Sequence, residues 1–150
     1  MRNPSSASVG ASVFQEMSAR PKGNRHFSDD LLALLQKSKG LRLRAGVGAH
    51  RLIGIGFVVV KGRVLVRSWS VKPDGWYRTF LHDPRGAVQI GDYEVAVRAV
   101  PVKSERLRGA VVRAYLDKYN TPGALKYARD LAREKSRATT IELVPRSSRR

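Results

Sequence analysis

One stretch, Arg63-Val-Leu-Val-Arg67-Ser68-Trp69-Ser70-Val-Lys72-Pro-Asp-Gly-Trp76-Tyr77-Arg78, holds most of the chemistry this chain can offer. An alternating apolar strand runs into two hydroxyls, a lysine and a short aromatic-basic segment. On an extended strand Ser68 and Ser70 share one face, with Lys72 two residues further on. Hydroxyl donors and an ammonium converging at a strand end can hold a phosphate through charge-assisted hydrogen bonds. Arg67 points to the other face unless the chain has already turned. Trp76, Tyr77 and Phe80 suit the face of a flat heterocycle, although aromatics at this helical spacing are more often core. Arg51 and Arg78 are isolated cations that become useful when a ligand brings them together. The pattern points to a nucleotide-like cofactor, although the residues alone fit an ordinary strand end with solvated polar side chains more readily.

Other chemistries find little support. The chain has no cysteine, which removes disulfides, thiolate metal sites and thiol catalysis. Its three histidines, His26, His50 and His82, form no His-x-x-x-His pair and sit in no nucleophile context, so neither a metal site nor a catalytic residue is assigned. Gly46-x-Gly48 and Gly54-x-Gly56 do not make a dinucleotide fingerprint. Gly54 and Gly56 share one strand face, where a packing constraint is favoured over an opening for a close-lying ring.

The net charge is +17, from 29 Lys+Arg against 12 Asp+Glu, and attracts polyanions or phosphorylated small molecules. The cations are scattered, no five-residue basic block occurs, and RNA-binding aromatic signatures are missing. A nucleic-acid partner is therefore the weaker alternative. No apolar run approaches a membrane span. The length of 150 residues and the hydrophobic content of 42% suit one domain with a modest core. Residues 1–26 read as a flexible tail, 27–145 as the domain and 146–150 as a basic tail; the expected location is cytoplasmic.

The elements that must position the stretch follow from periodicity and punctuation. Ser28 caps a helix that opens with Asp29 and Asp30, and Gly40 stops it. Leu41 to Ala45 alternates as a half-buried strand. Leu52 to Val60 reads as one apolar strand, and Lys61-Gly62 as a two-residue hairpin into a strand from Arg63 to Trp69. Asp74 offers a cap for a short helix through Leu81. Ala87 to Ile90 and Tyr93 to Val102 are strands joined at Gly91-Asp92. Ser104 and Thr121-Pro122 open two helices, and Ala138 to Val144 returns as a strand. This order predicts an α+β fold or small barrel, mostly antiparallel, with helices at its side.

Residues Arg67 to Lys72, followed by Trp76-Tyr77-Arg78-Thr79-Phe80-Leu81-His82-Asp83-Pro84, resemble the flavin- and deazaflavin-binding split β-barrel proteins. The resemblance is to pyridoxamine phosphate oxidase-like proteins and deazaflavin-dependent nitroreductases, and most of all to a small family of uncharacterised function within that superfamily. It covers Phe27 to Pro145, and Arg137-Ala-Thr-Thr-Ile-Glu-Leu-Val-Pro-Arg146 supports the smaller match. The resemblance implies a split β-barrel homodimer with FMN or a deazaflavin coenzyme, acting as an oxidoreductase on a small-molecule substrate. Ser68, Ser70 and Lys72 would hold the phosphate with Arg51 as a helper, Arg67 and Arg78 would belong to the cofactor-binding set, and Trp76 and Tyr77 would pack beside the ring or support the loop that does. A non-catalytic cofactor- or anion-binding protein of the same fold is the alternative. The chain departs from the nitroreductase pattern at Gly46 to Arg51, where the arginine stays and a Lys-Ser pair is lost, and at Thr79, where asparagine is usual.

Overall fold

Local signals start most elements where expected. The structure, a computed structural model, describes residues 26–47, 51–72 and 75–146. Most of the N-terminal tail, Gly48, His50, Pro73, the Asp74 cap and residues 147–150 lie outside the described residues. Helix α1 (Asp29–Lys37) opens with the Leu31 amide donating to the Ser28 hydroxyl at 3.3 Å, and two aspartates occupy its first turn. Strand β1 (Leu41–Ala45) buries Leu41, Leu43 and Ala45 and exposes Arg42, as its alternation requires. The segment expected as one strand divides into β2 (Ile53–Ile55) and β3 (Val58–Val60). Lys61 and Gly62 both take positive φ, 52° and 79°, the geometry of a tight two-residue hairpin, and lead into β4 (Arg63–Val66).

Strand β4 stops at Val66, three residues before the expected Trp69. The Arg67 amide donates to the Tyr115 hydroxyl at 3.2 Å and the Ser68 amide to Thr139 Oγ1 at 2.8 Å, so side chains take over from the strand ladder. Helix α2 (Trp76–His82) follows, then β5 (Arg85–Ile90) and β6 (Tyr93–Pro101) across a turn whose Gly91 has φ of 60°. Helices α3 (Glu105–Lys118) and α4 (Pro122–Leu131) start at the predicted caps, the Leu107 amide donating to Ser104 and the Ala124 amide to Thr121. A short α5 (Glu134–Arg137) precedes β7 (Ile141–Pro145), which therefore begins later than Ala138.

The sheet order is β2-β1-β5-β6-β7-β4-β3, antiparallel throughout. Its two edges, β2 and β3, are consecutive in the chain and separated by Gly56 and Phe57 alone. One extended segment thus lends its first half to β1 and its second half to β4. Two opposite edges can share eight residues only if the sheet rolls until they meet, which makes a barrel. Leu43, Val64, Val88, Val97, Ile141 and Leu143 fill its interior, with Phe27 just before α1, Leu35 from α1 and Phe80 from α2 joining the same cluster. A second cluster forms where Val58 and Leu65 meet Val111, Tyr115, Ala128 and Leu131 of α3 and α4. Among the described residues, no helix is long and apolar enough to cross a membrane.

Candidate functional site

Four antiparallel steps separate β1 from β4, so the two strands run in the same direction. The chain after Ala45, the approach to β2 and the loop after Val66 therefore open at one end of the barrel. Arg51 lies on the approach to β2, and the Ser68 to Lys72 loop and α2 follow β4.

Arg67 is turned the other way. The residue is 2% exposed. Nε–H donates to Thr140 Oγ1 at 2.8 Å, Nη1 to the Leu131 carbonyl at 2.9 Å and Nη2 to the Arg108 carbonyl at 2.7 Å. Leu131 ends α4, where carbonyls lack helical partners and favour a cation. Burial lowers the Arg67 pKa to about 10. The side chain ties β4 to α3, α4 and the approach to β7, and its donors are spent inside the protein.

The two serines do not line up as on a strand. Ser68 is buried; its hydroxyl donates to the Ser70 carbonyl and accepts the Ser70 amide at 3.1 Å. The Ser70 hydroxyl accepts the Lys72 amide at 3.2 Å. Two successive side-chain turns thus fold the loop, with Ser68 beneath and Ser70 half-buried above it. Lys72 is exposed, and so is Arg78, whose Nε–H donates to the Val71 carbonyl at 3.1 Å and fastens α2 to the loop. Arg51 is also exposed. Trp76 and Tyr77 are half-buried and pack on the barrel core, Trp76 edge-on to Phe80 at 6.1 Å between centroids.

Trp69 is the residue that sequence reasoning undervalued. It stands 66% exposed in the loop. Its signal was available in retrospect, since it lies between two serines that turn the chain. Also missed was the seam between the barrel edges. There the Gly56 amide donates to the Tyr127 hydroxyl at 3.3 Å and the Phe57 amide to the Tyr119 hydroxyl at 3.1 Å. Lys118 Nζ donates to the Phe57 carbonyl at 2.9 Å and lies 3.3 Å from the centroid of the Phe57 ring. Burial lowers the Lys118 pKa to about 8 and pushes that of Tyr119 up to about 12. These groups complete backbone hydrogen bonding where β2 and β3 leave none, so Gly56 is a packing constraint: a Cβ there would meet the Tyr127 hydroxyl at 2.8 Å.

The loop thus exposes Lys72 and the Trp69 ring, with Ser70 half-buried, and Arg78 and Arg51 are exposed as well. Among the described residues no cluster of His, Asp and Glu could hold a metal ion. A rolled antiparallel sheet with this loop and flanking helices is a split β-barrel, and solved structures share it. A pyridoxamine 5'-phosphate oxidase-like protein from Listeria innocua aligns with a TM-score of 0.57 at 16% identity, over 79% of this chain and 93% of its own. The heme storage protein HutZ from Vibrio cholerae aligns with a TM-score of 0.57 at 12% identity, over 82% and 92%. An F420-H2 dependent reductase aligns with a TM-score of 0.50 at 18% identity, over 71% and 93%. By sequence the chain belongs to the family described as an uncharacterized protein conserved in bacteria (DUF2255), whose model matches residues 40–143. No curated protein matches it.

Proposed function

We propose that the chain binds a phosphate-bearing flavin-type cofactor, FMN or a deazaflavin coenzyme, at the Ser68 to Lys72 loop and acts as an oxidoreductase on a small molecule. The observation that carries this reading is Trp69, an indole 66% exposed on a loop that also presents Lys72 and is braced by Arg78. An indole left in water beside cations suits a ligand that is flat and anionic at once. Ser70, Lys72, Arg78 and Arg51 would hold the phosphate end, and Trp69 would cover a ring face. Trp76, Tyr77 and Ser68 would set the loop's shape. Arg67 belongs to the frame and leaves the binding set. The cofactor would supply hydride chemistry, while the protein supplies orientation and positive potential. The solved relatives support the reading because an oxidase-like protein and an F420-H2 dependent reductase share the barrel. A homodimer with the cofactor at the subunit boundary and a cytoplasmic setting complete the proposal.

Titration of the protein with FMN and with a deazaflavin coenzyme, followed by tryptophan fluorescence, tests it. Saturable quenching that is lost in Trp69→Phe is expected. Quenching by neither compound would overturn it. Turnover with the reduced cofactor then separates an enzyme from a non-catalytic binding protein, and sedimentation reads the oligomeric state.

A further inference from the structure

Where β1 begins and β2 ends lies a broad groove of about 800 Å³. That volume is in the range of small-molecule sites. Lys39, Arg42, Gly54, Gln89, Tyr119 and Tyr127 are among the residues that line it, and its lining carries two cations and no carboxylate. The contrast along β1 is informative. Arg44 is paired with Glu94 across the sheet. Arg42, on the same outward face, has Gly54 and Gln89 as its cross-strand neighbours and so meets no anion on either side.

The shape of the groove narrows the choice of anion. A Cβ built on Gly54 meets no atom within 4 Å, so this glycine leaves a slot beside Arg42 and is not required by packing. Four of the lining residues are glycines, which keeps the floor at backbone height. The Tyr119 and Tyr127 rings border it, edge to face with centroids 5.6 Å apart. Their hydroxyls already serve the seam at Phe57 and Gly56, so what they bring to the groove is ring surface. The Tyr119 hydroxyl also donates to the Lys39 carbonyl, which anchors the cationic rim to the same pair of rings. A flat ring gains contact over bare strand and aromatic edges, and its charged substituent is met by Arg42, with Gln89 offering an amide donor.

We propose that this groove, whose lining shares no residue with the Ser68 to Lys72 loop, is a second binding site for a small aromatic anion: a planar ring bearing a phosphate or carboxylate. The ring lies over Gly54 against Tyr119 and Tyr127, and the anionic group meets Arg42 and Gln89 with Lys39 at the rim.

Phenyl phosphate, benzoate and inorganic phosphate, each added to the 15N-labelled protein, provide the test. The expected result is saturable shifts of the Arg42, Gly54 and Gln89 amide signals by phenyl phosphate or benzoate, with inorganic phosphate binding at least about tenfold more weakly. Arg42→Gln should weaken binding by about tenfold or more. Gly54→Val should abolish it while the thermal transition stays in place, because the added side chain enters open space. Lys72→Ala should leave it unchanged. Absence of shifts, equal affinity for inorganic phosphate, wild-type binding by Arg42→Gln, or loss of binding in Lys72→Ala would each overturn the proposal.

Discussion

Tyr115 ties the barrel seam at Gly56: its hydroxyl donates to the Gly56 carbonyl at 3.2 Å. The same oxygen accepts the Arg67 amide at 3.2 Å, so one buried phenol joins the chain between β2 and β3 to the end of β4. Burial raises the Tyr115 pKa well above its ordinary value and keeps the phenol neutral as both donor and acceptor. Tyr115→Phe preserves the ring and removes both bonds, leaving a carbonyl and an amide unpaired. The expected loss is about 1–3 kcal/mol. Urea unfolding checks it as a lower midpoint with an unchanged slope.

The seam also predicts a pH dependence. The Lys118 pKa falls to about 8 in the folded chain, from 10.5, because burial disfavours the ammonium. Between those values the unfolded chain binds more protons than the folded one, so this group makes stability rise with pH from about 8 toward 10.5. Tyrosine acts in the opposite sense above pH 10, since the Tyr119 pKa rises to about 12 and the folded chain there keeps the proton. Thermal unfolding of the wild type across this range, compared with Lys118→Met, isolates the lysine. The rise between pH 8 and 10 should be lost in the variant. An unchanged profile would show that Lys118 is not responsible for it.

Arg67 is expected to matter for stability and not for the ligand. A lysine cannot reach Thr140, Leu131 and Arg108 with the planar fork that the guanidinium uses. Arg67→Lys should destabilise the fold by about 3 kcal/mol. Cofactor affinity, measured well below the unfolding midpoint, should remain that of the wild type. A large affinity loss with little change in stability would return Arg67 to the binding set.

The loop at the proposed cofactor site gives a complementary outcome. Ser70→Ala combined with Lys72→Ala removes a half-buried hydroxyl and an exposed ammonium, neither of which holds the core. Cofactor affinity should fall by at least about tenfold, the scale of charge-assisted hydrogen bonds, with the thermal transition nearly unmoved. Isothermal titration of the double variant decides it, and unchanged affinity would count against the loop.

Much of the architecture was legible residue by residue. The alternation of Leu41 to Ala45, the turns at Lys61-Gly62 and Gly91-Asp92, and the caps at Ser28, Ser104 and Thr121 depend on neighbours within a few positions. The resemblance carried by the Arg67 to Pro84 segment led to the split barrel. The short α5 was not legible, because its four residues offer too little periodicity to stand out.

Sequence alone determined the inventory: an α+β chain without cysteine, strongly cationic, with hydroxyl, lysine and aromatic residues grouped after one strand. Tertiary structure decided how each is used. The Arg67 amide finds Tyr115 at a separation of 48 positions, and the Gly56 amide finds Tyr127 at 71. Those distant phenols and carbonyls end β4 early, open the strand at Gly56 and draw Arg67 inward while Trp69 stays outside. Local propensity cannot encode such choices, because the partners that satisfy a buried donor are set only when the barrel closes.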